Sequence, residues 1–204
     1  MKTIEELEAD GEPEVAMTTT RPPPGTERIK KLDAARRQLQ TAIWLRFRGG
    51  DLAAIHALTA AAYEIIERLN SAAGGQAMLK GLVRELGKLL PKKDQKHLKL
   101  LNAPEAFLKH AARDPRESHD FDPRWTDGLM FEAATRYANL DRLSPLLKLY
   151  VTWYAIRYRR DIDVLKQIAA AFDLSEVPED PVEFLEQFAE FELPKEALTV
   201  PPSA

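Results

Sequence analysis

The stretch that decides the fold is residues 144–160, SPLLKLYVTWYAIRYRR. It opens with Ser144 and Pro145, a capping hydroxyl followed by a proline at the first helical position, which is a common way to start a helix. The residues that follow are apolar on nearly every side, and a helix of that kind is typical of the centre of a core. We therefore predict a central helix over 146–160, with the other elements packed around it.

The segments before this helix repeat apolar residues at helical spacing. We predict one helix that is capped by Thr26 and ends at Gly49-Gly50, because glycine commonly terminates a helix. A second helix is predicted after Asp51, ending at Gly74-Gly75. A stripe of leucines predicts a third helix that stops at Pro91, and a short basic helix is expected to follow it.

Two more aspartate–proline pairs, Asp122-Pro123 and Asp180-Pro181, predict further helix starts, and Asp161 is expected to cap a shorter helix. No alternating β-branched run is long enough for a strand. The sequence therefore predicts an all-α protein: a compact bundle of about seven or eight helices, whose neighbours are mostly antiparallel because the connections are short.

The two ends of the chain differ in composition from this helical middle. Residues 1–25 are acidic and contain three consecutive prolines, so we expect a disordered N-terminal arm. Residues 26–196 are expected to form a single helical domain, of which 172–196 is an acidic C-terminal helix. Residues 197–204 are expected to be a flexible tail.

The overall charge balance hides a segregation along the chain. The formal net charge is −3, yet residues 21–172 carry 27 basic and 17 acidic side chains between the two acidic ends. The chain has no cysteine, which excludes disulfides, cysteine–zinc sites and thiol catalysis. It has no long uncharged apolar run and no secretory signal pattern, so we expect no membrane partner and a cytoplasmic location.

No motif for a bound cofactor or metal stands out. The chain has no Gly-x-Gly-x-x-Gly and no phosphate loop, so we predict no cofactor. Residues 110–122 hold two histidines and four acids, but loops and helix caps also collect acids, so we predict no metal and leave open whether this stretch is a site or a capped loop. His56 is expected at the boundary of the second helix's apolar stripe.

Basic residues gather in two places that suit RNA or single-stranded DNA. One group follows the third helix, and the other closes the central helix beside Trp153 and Tyr154, a combination of charge and aromatic rings that fits backbone contacts plus base stacking. Basic residues at the C-terminal end of a helix also interact favourably with its macrodipole. The second group could therefore stabilise the central helix rather than bind nucleic acid, and both interpretations stay open. The candidate binding residues are Lys92, Lys93, Lys96, Lys99, Arg157, Arg159 and Arg160.

Residues 102–115, NAPEAFLKHAARDP, together with ARRQL at 35–39 and IHALTAAAY at 55–63, resemble a group of uncharacterised bacterial all-helical proteins. This resemblance covers about half of the chain. It implies no particular activity.

A second motif runs from Arg113 to His119, RDPRESH, with an arginine, polar residues and a histidine. In this it distantly resembles the HEPN-type helical bundles, many of which are RNases of toxin–antitoxin and phage-defence systems that work as dimers without metal. The resemblance implies that Arg113 holds the phosphate charge and that His119, or alternatively His110, moves the 2′-hydroxyl proton.

Three functions follow from these patterns. We favour a non-enzymatic intracellular interaction or regulatory module that binds a protein partner or forms a homodimer, because the chain carries aromatic residues without an assembled catalytic set. Core burial would explain those aromatic residues equally well. The alternatives are a HEPN-like metal-independent RNase and a non-catalytic RNA-binding or single-stranded-DNA-binding protein.

Overall fold

In a computed structural model of the chain, the described residues are 25–89, 102–109, 116, 118–158 and 177–192. This part of the chain forms helices connected by turns and contains no strand, which confirms the predicted all-α bundle. The seven described helices are α1 (Lys31–Phe47), α2 (Leu52–Ala72), α3 (Leu79–Leu89), α4 (Ala103–Lys109), α5 (Pro123–Tyr137), α6 (Pro145–Arg157) and α7 (Pro181–Glu192).

Helix α6 lies among α1, α5 and α7, as its apolar composition predicts. Trp153 and Tyr150 pack edge-on against Phe47 of α1, with ring centroids 5.8 and 6.0 Å apart. Tyr154 stacks on Phe131 of α5 at 4.2 Å. Burying several large aromatic rings supplies much of the hydrophobic stabilisation of a small domain.

Polar caps set the starts of four helices. Asp51, Asp122 and Asp180 each accept a hydrogen bond from a backbone N–H of the first turn, at 2.8, 2.9 and 2.8 Å. Ser144 does the same for Leu147 at 3.4 Å. Proline follows three of these caps, so the predicted starts of α5, α6 and α7 are confirmed.

The predicted start of the first helix is wrong. Helix α1 begins at Lys31 after a Lys30 N-cap without a side-chain cap bond, and Thr26 lies in the non-helical segment before it. Glu27 in that segment accepts two hydrogen bonds from Arg37, at 3.0 and 2.6 Å. The backbone of Lys30 is extended, with φ −74° and ψ 155°, so the helix does not continue towards Thr26.

A buried ion pair joins three helices. Both oxygens of Asp127 on α5 accept hydrogen bonds from the Arg46 guanidinium on α1, at 2.8 and 3.0 Å, and Tyr158 after α6 donates a third at 2.9 Å. Tyr150 donates to the Asp127 carbonyl at 3.0 Å. Asp127 is fully buried. These hydrogen bonds and the charge of Arg46 offset the free-energy cost of removing the carboxylate from water.

The N-terminal arm as far as residue 24, the residues after 192, and the predicted helices near 92–101 and 161–172 lie outside the described residues. Residues 177–180 lead into α7 without helical structure. None of the described helices combines the length and apolar character needed to cross a bilayer.

Candidate functional site

A groove of about 1290 Å³ runs between α2 and α3, and it is also lined by Asn102, which precedes α4, and by Glu105 of α4. Its walls combine small side chains with charged ones. The charged side chains are Glu64, Glu67, Arg68, Lys80, Arg84, Glu85, Lys88 and Glu105, and we call this feature the α2–α3 groove.

The polar side of α3 faces this groove. A Cβ added at Gly81 would lie 2.7 Å from the Glu67 carboxylate of α2, so a larger residue there would displace the end of this flexible side chain. Arg84, one turn further along, pairs with the same carboxylate at 3.4 Å. Leu79 and Leu82 do not line the groove and are 40 % and 49 % exposed.

Lys80 is the buried basic residue of the groove. Its side chain is only 11 % exposed, its amine pairs with Glu105 of α4, and its nitrogen lies 5.2 Å from the centre of the Tyr63 ring. Burial lowers the pKa of Lys80 to about 8, even though the charge of Glu67 acts in the opposite direction. The amine therefore lies between an aromatic ring and a carboxylate that can exchange a proton with it.

Tyr63 and Glu132 hold the start of α3 in place. The Tyr63 hydroxyl donates to Glu132 of α5 at 2.6 Å and accepts from the Lys80 backbone N–H at 3.2 Å. The other Glu132 oxygen accepts from the Leu79 backbone N–H at 2.8 Å. Burial and Glu132 raise the pKa of Tyr63 well above its usual value, so the phenol stays protonated and keeps donating.

His56 lies deeper in the bundle, between α2 and α5. The prediction that it is a boundary residue is wrong: it is fully buried, because its Nδ1 finds a partner in the Thr126 hydroxyl at 2.9 Å. Its Nε2 has no hydrogen-bond partner in the described part of the chain. Burial, together with the charges of Lys80 and His119, lowers the pKa of His56 to about 4, so the imidazole is neutral at pH 7.

His119 is half-buried in an aromatic cluster beside His56. Its ring stacks on Phe107 at 5.7 Å and meets Phe121 edge-on at 5.0 Å, and Phe121 in turn lies 5.6 Å from the His56 ring. Its predicted partners Arg113 and His110 lie outside the described residues. The Arg113–His119 catalytic pairing therefore stays a prediction.

The predicted nucleic-acid residues are brought together only in part. Arg157 is half-buried at the end of α6 and pairs with Glu179 at 3.1 Å, so the chain supplies its own carboxylate there. Trp153 and Tyr154 are buried in the core and cannot stack on a base in this fold. The other candidates, Lys92, Lys93, Lys96, Lys99, Arg159 and Arg160, lie outside the described residues.

The sequence did not predict that Tyr63, Lys80 and Glu105 line one groove, or that Glu132 binds Tyr63 beside it. They come from α2, α3, α4 and α5, and no local spacing connects them. In the sequence, Lys80 stands next to a stripe of leucines. A lysine at such a position usually lies on the solvent-exposed side of a helix, so this pattern does not indicate a groove.

Among the residues that the structure describes, no group of three histidine, aspartate or glutamate side chains is placed to hold a metal ion. Asp114 and Glu117 of the 110–122 stretch are not among them. The chain matches no protein-family model, no curated protein and no solved structure.

Proposed function

We propose that this chain is a non-enzymatic helical interaction module that self-associates through the outer face of α3. The observation that carries the proposal is the orientation of this helix. Its polar side lines the α2–α3 groove, while Leu79 and Leu82 do not line the groove and are 40 % and 49 % exposed. A helix in a monomeric protein usually has the opposite orientation, with its leucines inward.

The exposed leucines form a contiguous patch. In the described ranges, two other large apolar side chains are exposed, those of Ile29 and Leu108. These two residues lie on separate segments of the chain, neither of them in α3. Leu79 and Leu82 are three residues apart on one helix, so their side chains are neighbours. Adjacent exposed leucines can form part of the larger apolar patch that marks a protein–protein contact.

The sequence of α3 favours a second copy as the partner. Residues 79–89, LKGLVRELGKL, read nearly the same in both directions around Arg84. An antiparallel pair with its two-fold axis at Arg84 sets positions 79 and 82 of one helix opposite 89 and 86 of the other, and all four are leucine. A two-fold interface needs such self-complementarity, and the three–four–three leucine spacing suits helix-to-helix packing.

Size-exclusion chromatography with light scattering tests this proposal. The wild-type chain is expected to be a dimer at high concentration, and Leu82→Glu is expected to be a monomer with unchanged helix content by circular dichroism. Ile29→Glu is the matched control, because it adds the same charge at an equally exposed position outside α3. A monomeric wild type, or a Leu82→Glu variant that still dimerises, contradicts the proposal.

Metal-independent RNA cleavage is the second candidate, because the His119 imidazole is partly accessible and can take part in acid–base chemistry. Labelled RNA incubated with the protein in EDTA at low salt, and analysed on native and denaturing gels, tests it. Cleavage that His119→Ala abolishes supports the RNase. Unchanged cleavage in both His119→Ala and His110→Ala excludes it, and a gel shift without cleavage points to nucleic-acid binding instead.

A further inference from the structure

We propose that Glu132 and Tyr63 control self-association, because they cap α3 from neighbouring helices and the leucine patch of Leu79 and Leu82 is presented only while that cap is made. The inference rests on the proposed function, since it concerns the regulation of the same face of α3. Neither controlling residue belongs to α3: Glu132 is on α5 and Tyr63 is on α2. Both are positioning residues that act on the dimer through α3.

The start of α3 has no side-chain cap in its own sequence. Met78 precedes the helix, and its thioether is only a weak acceptor in place of the oxygen that a capping residue supplies. The first hydrogen bond of the helix runs from the Leu82 N–H to the Met78 carbonyl at 2.9 Å. The N–H groups of Leu79 and Lys80 therefore need acceptors from outside the helix.

Glu132 and Tyr63 supply these acceptors together. One Glu132 oxygen accepts from the Leu79 N–H at 2.8 Å, and the Tyr63 hydroxyl accepts from the Lys80 N–H at 3.2 Å. The same hydroxyl donates to the other Glu132 oxygen at 2.6 Å, so each side chain fixes the position of the other. A carboxylate at the N-terminus of a helix also interacts favourably with its macrodipole. The two side chains thus form an N-cap that comes from the tertiary structure.

The rest of α3 has few other contacts that stabilise it. Among the α3 residues whose side chains the structure describes, none is fully buried. Arg84 pairs with Glu67 at 3.4 Å, but the Arg84 side chain is largely exposed, and such pairs contribute little. A helix of 11 residues is marginal in water without tertiary contacts. The formation of α3 therefore depends on its first turn, where the cap and the Lys80–Glu105 ion pair lie.

Helix formation and dimerisation are linked through the leucine patch. Leu79 and Leu82 lie side by side only on a formed helix, so a copy with an unfolded α3 does not present the patch. The apparent Kd rises as the fraction of competent copies falls, and a two-fold dimer needs a formed α3 in both copies. Losing the cap therefore weakens the dimer twice, once in each copy.

Sedimentation equilibrium of capping variants tests this control of the dimer Kd. Glu132→Ala is expected to raise Kd at least about tenfold, because the loss of an N-cap disfavours the first turn in both copies. Glu132→Gln keeps an oxygen for the Leu79 N–H and is expected to recover part of this loss. Glu67→Gln is the matched control: it alters a carboxylate that contacts α3 beyond the first turn, and its Kd is expected to stay within about twofold of the wild-type value.

Amide hydrogen exchange follows α3 without the dimer. In the Leu82→Glu background, which removes the leucine contact, adding Glu132→Ala is expected to speed exchange across residues 79–89 by about tenfold. Exchange across residues 31–47 of α1 is expected to stay unchanged. Tyr63→Phe removes the hydroxyl but keeps the ring, so it is expected to produce a smaller increase in the same region.

Three results would overturn the inference. They are unchanged exchange across residues 79–89 after Glu132→Ala, equally faster exchange in α1, which would mean that Glu132 stabilises the whole bundle, and a wild-type dimer whose Kd this variant leaves unchanged. The last result leaves the proposed function intact. A wild-type chain that stays monomeric overturns the proposed function itself, together with this control of it, so the two failures are distinguishable.

Discussion

At the residue scale, three buried polar side chains have three different environments. Asp127 is completely paired, with Arg46 and Tyr158 sharing its two oxygens. His56 is neutral and has one nitrogen paired. Lys80 keeps an ion pair with Glu105 at the edge of an open groove. The environment of each group decides how its charge affects the stability of the fold.

Replacing Asp127 by alanine is expected to lower the free energy of unfolding by about 3–5 kcal/mol, because it leaves the Arg46 guanidinium largely buried without a counter-charge. Denaturant unfolding followed by circular dichroism measures this loss. Glu64→Gln is the matched control: it breaks the exposed pair with Arg68 and is expected to cost less than about 1 kcal/mol. Equal losses in the two variants would show that the buried pair contributes no more than a surface one.

The stability of the chain is expected to fall as the pH drops from about 6.5 towards 4 because of His56. Its pKa is lower in the folded chain than in the unfolded one, so the unfolded chain binds the extra proton in this window. The full loss attributable to His56 is about 3 kcal/mol. Urea unfolding at pH 7 and pH 4.5 measures most of this loss.

His56→Gln is the control for this pH effect. It removes the titrating imidazole while the carboxylates of the chain titrate as before. The wild type is expected to lose more stability between the two pH values than the variant does. A wild type and variant with parallel losses would mean that His56 is accessible to protons in the folded chain.

At the scale of elements, the end of α2 depends on two adjacent glycines with different roles. Gly74 has a φ of +74°, and no atom lies within 4 Å of a Cβ added there. A Cβ on Gly75 would lie 2.1 Å from the amide oxygen of Asn70, whose nitrogen donates to the Gln76 carbonyl at 2.7 Å. The first glycine is needed for backbone conformation and the second for space.

Thermal unfolding of two alanine variants separates these roles. Gly74→Ala is expected to cost about 1 kcal/mol, the strain of a left-handed conformation. Gly75→Ala is expected to cost about 2–3 kcal/mol, because Asn70 must move and lose a buried hydrogen bond. A larger loss for Gly74→Ala than for Gly75→Ala would contradict this assignment.

At the scale of the whole molecule, α7 joins the C-terminal end of the chain to the core. Phe184 is buried and stacks on Phe47 of α1 with the ring centroids 6.2 Å apart. The Trp153 indole N–H of α6 donates to the Glu179 carbonyl at 3.1 Å. These contacts favour a bundle in which α7 unfolds together with the other helices.

Phe184→Ala is therefore expected to destabilise the whole chain by about 3–5 kcal/mol, because it opens a cavity beside Phe47. Far-ultraviolet and near-ultraviolet circular dichroism are expected to show one coincident unfolding transition in both proteins. Leu108→Ala on α4 is the control, since this side chain is partly exposed and its truncation leaves a smaller cavity. Two separate transitions would show that α7 is an independent unit.

The amino-acid sequence by itself determined the helical class, the central place of α6 and the starts of α5, α6 and α7, because apolar period and capping residues act over a few neighbouring positions. The start of α1 could not be predicted, because its N-cap residue Lys30 makes no side-chain cap bond and so leaves no capping signal in the sequence. Only the tertiary structure decided that Tyr63, Lys80 and Glu105 meet in one groove and that His56 is buried. Those environments depend on how separate helices are oriented when they pack together. The spacing of residues within one helix does not determine that orientation.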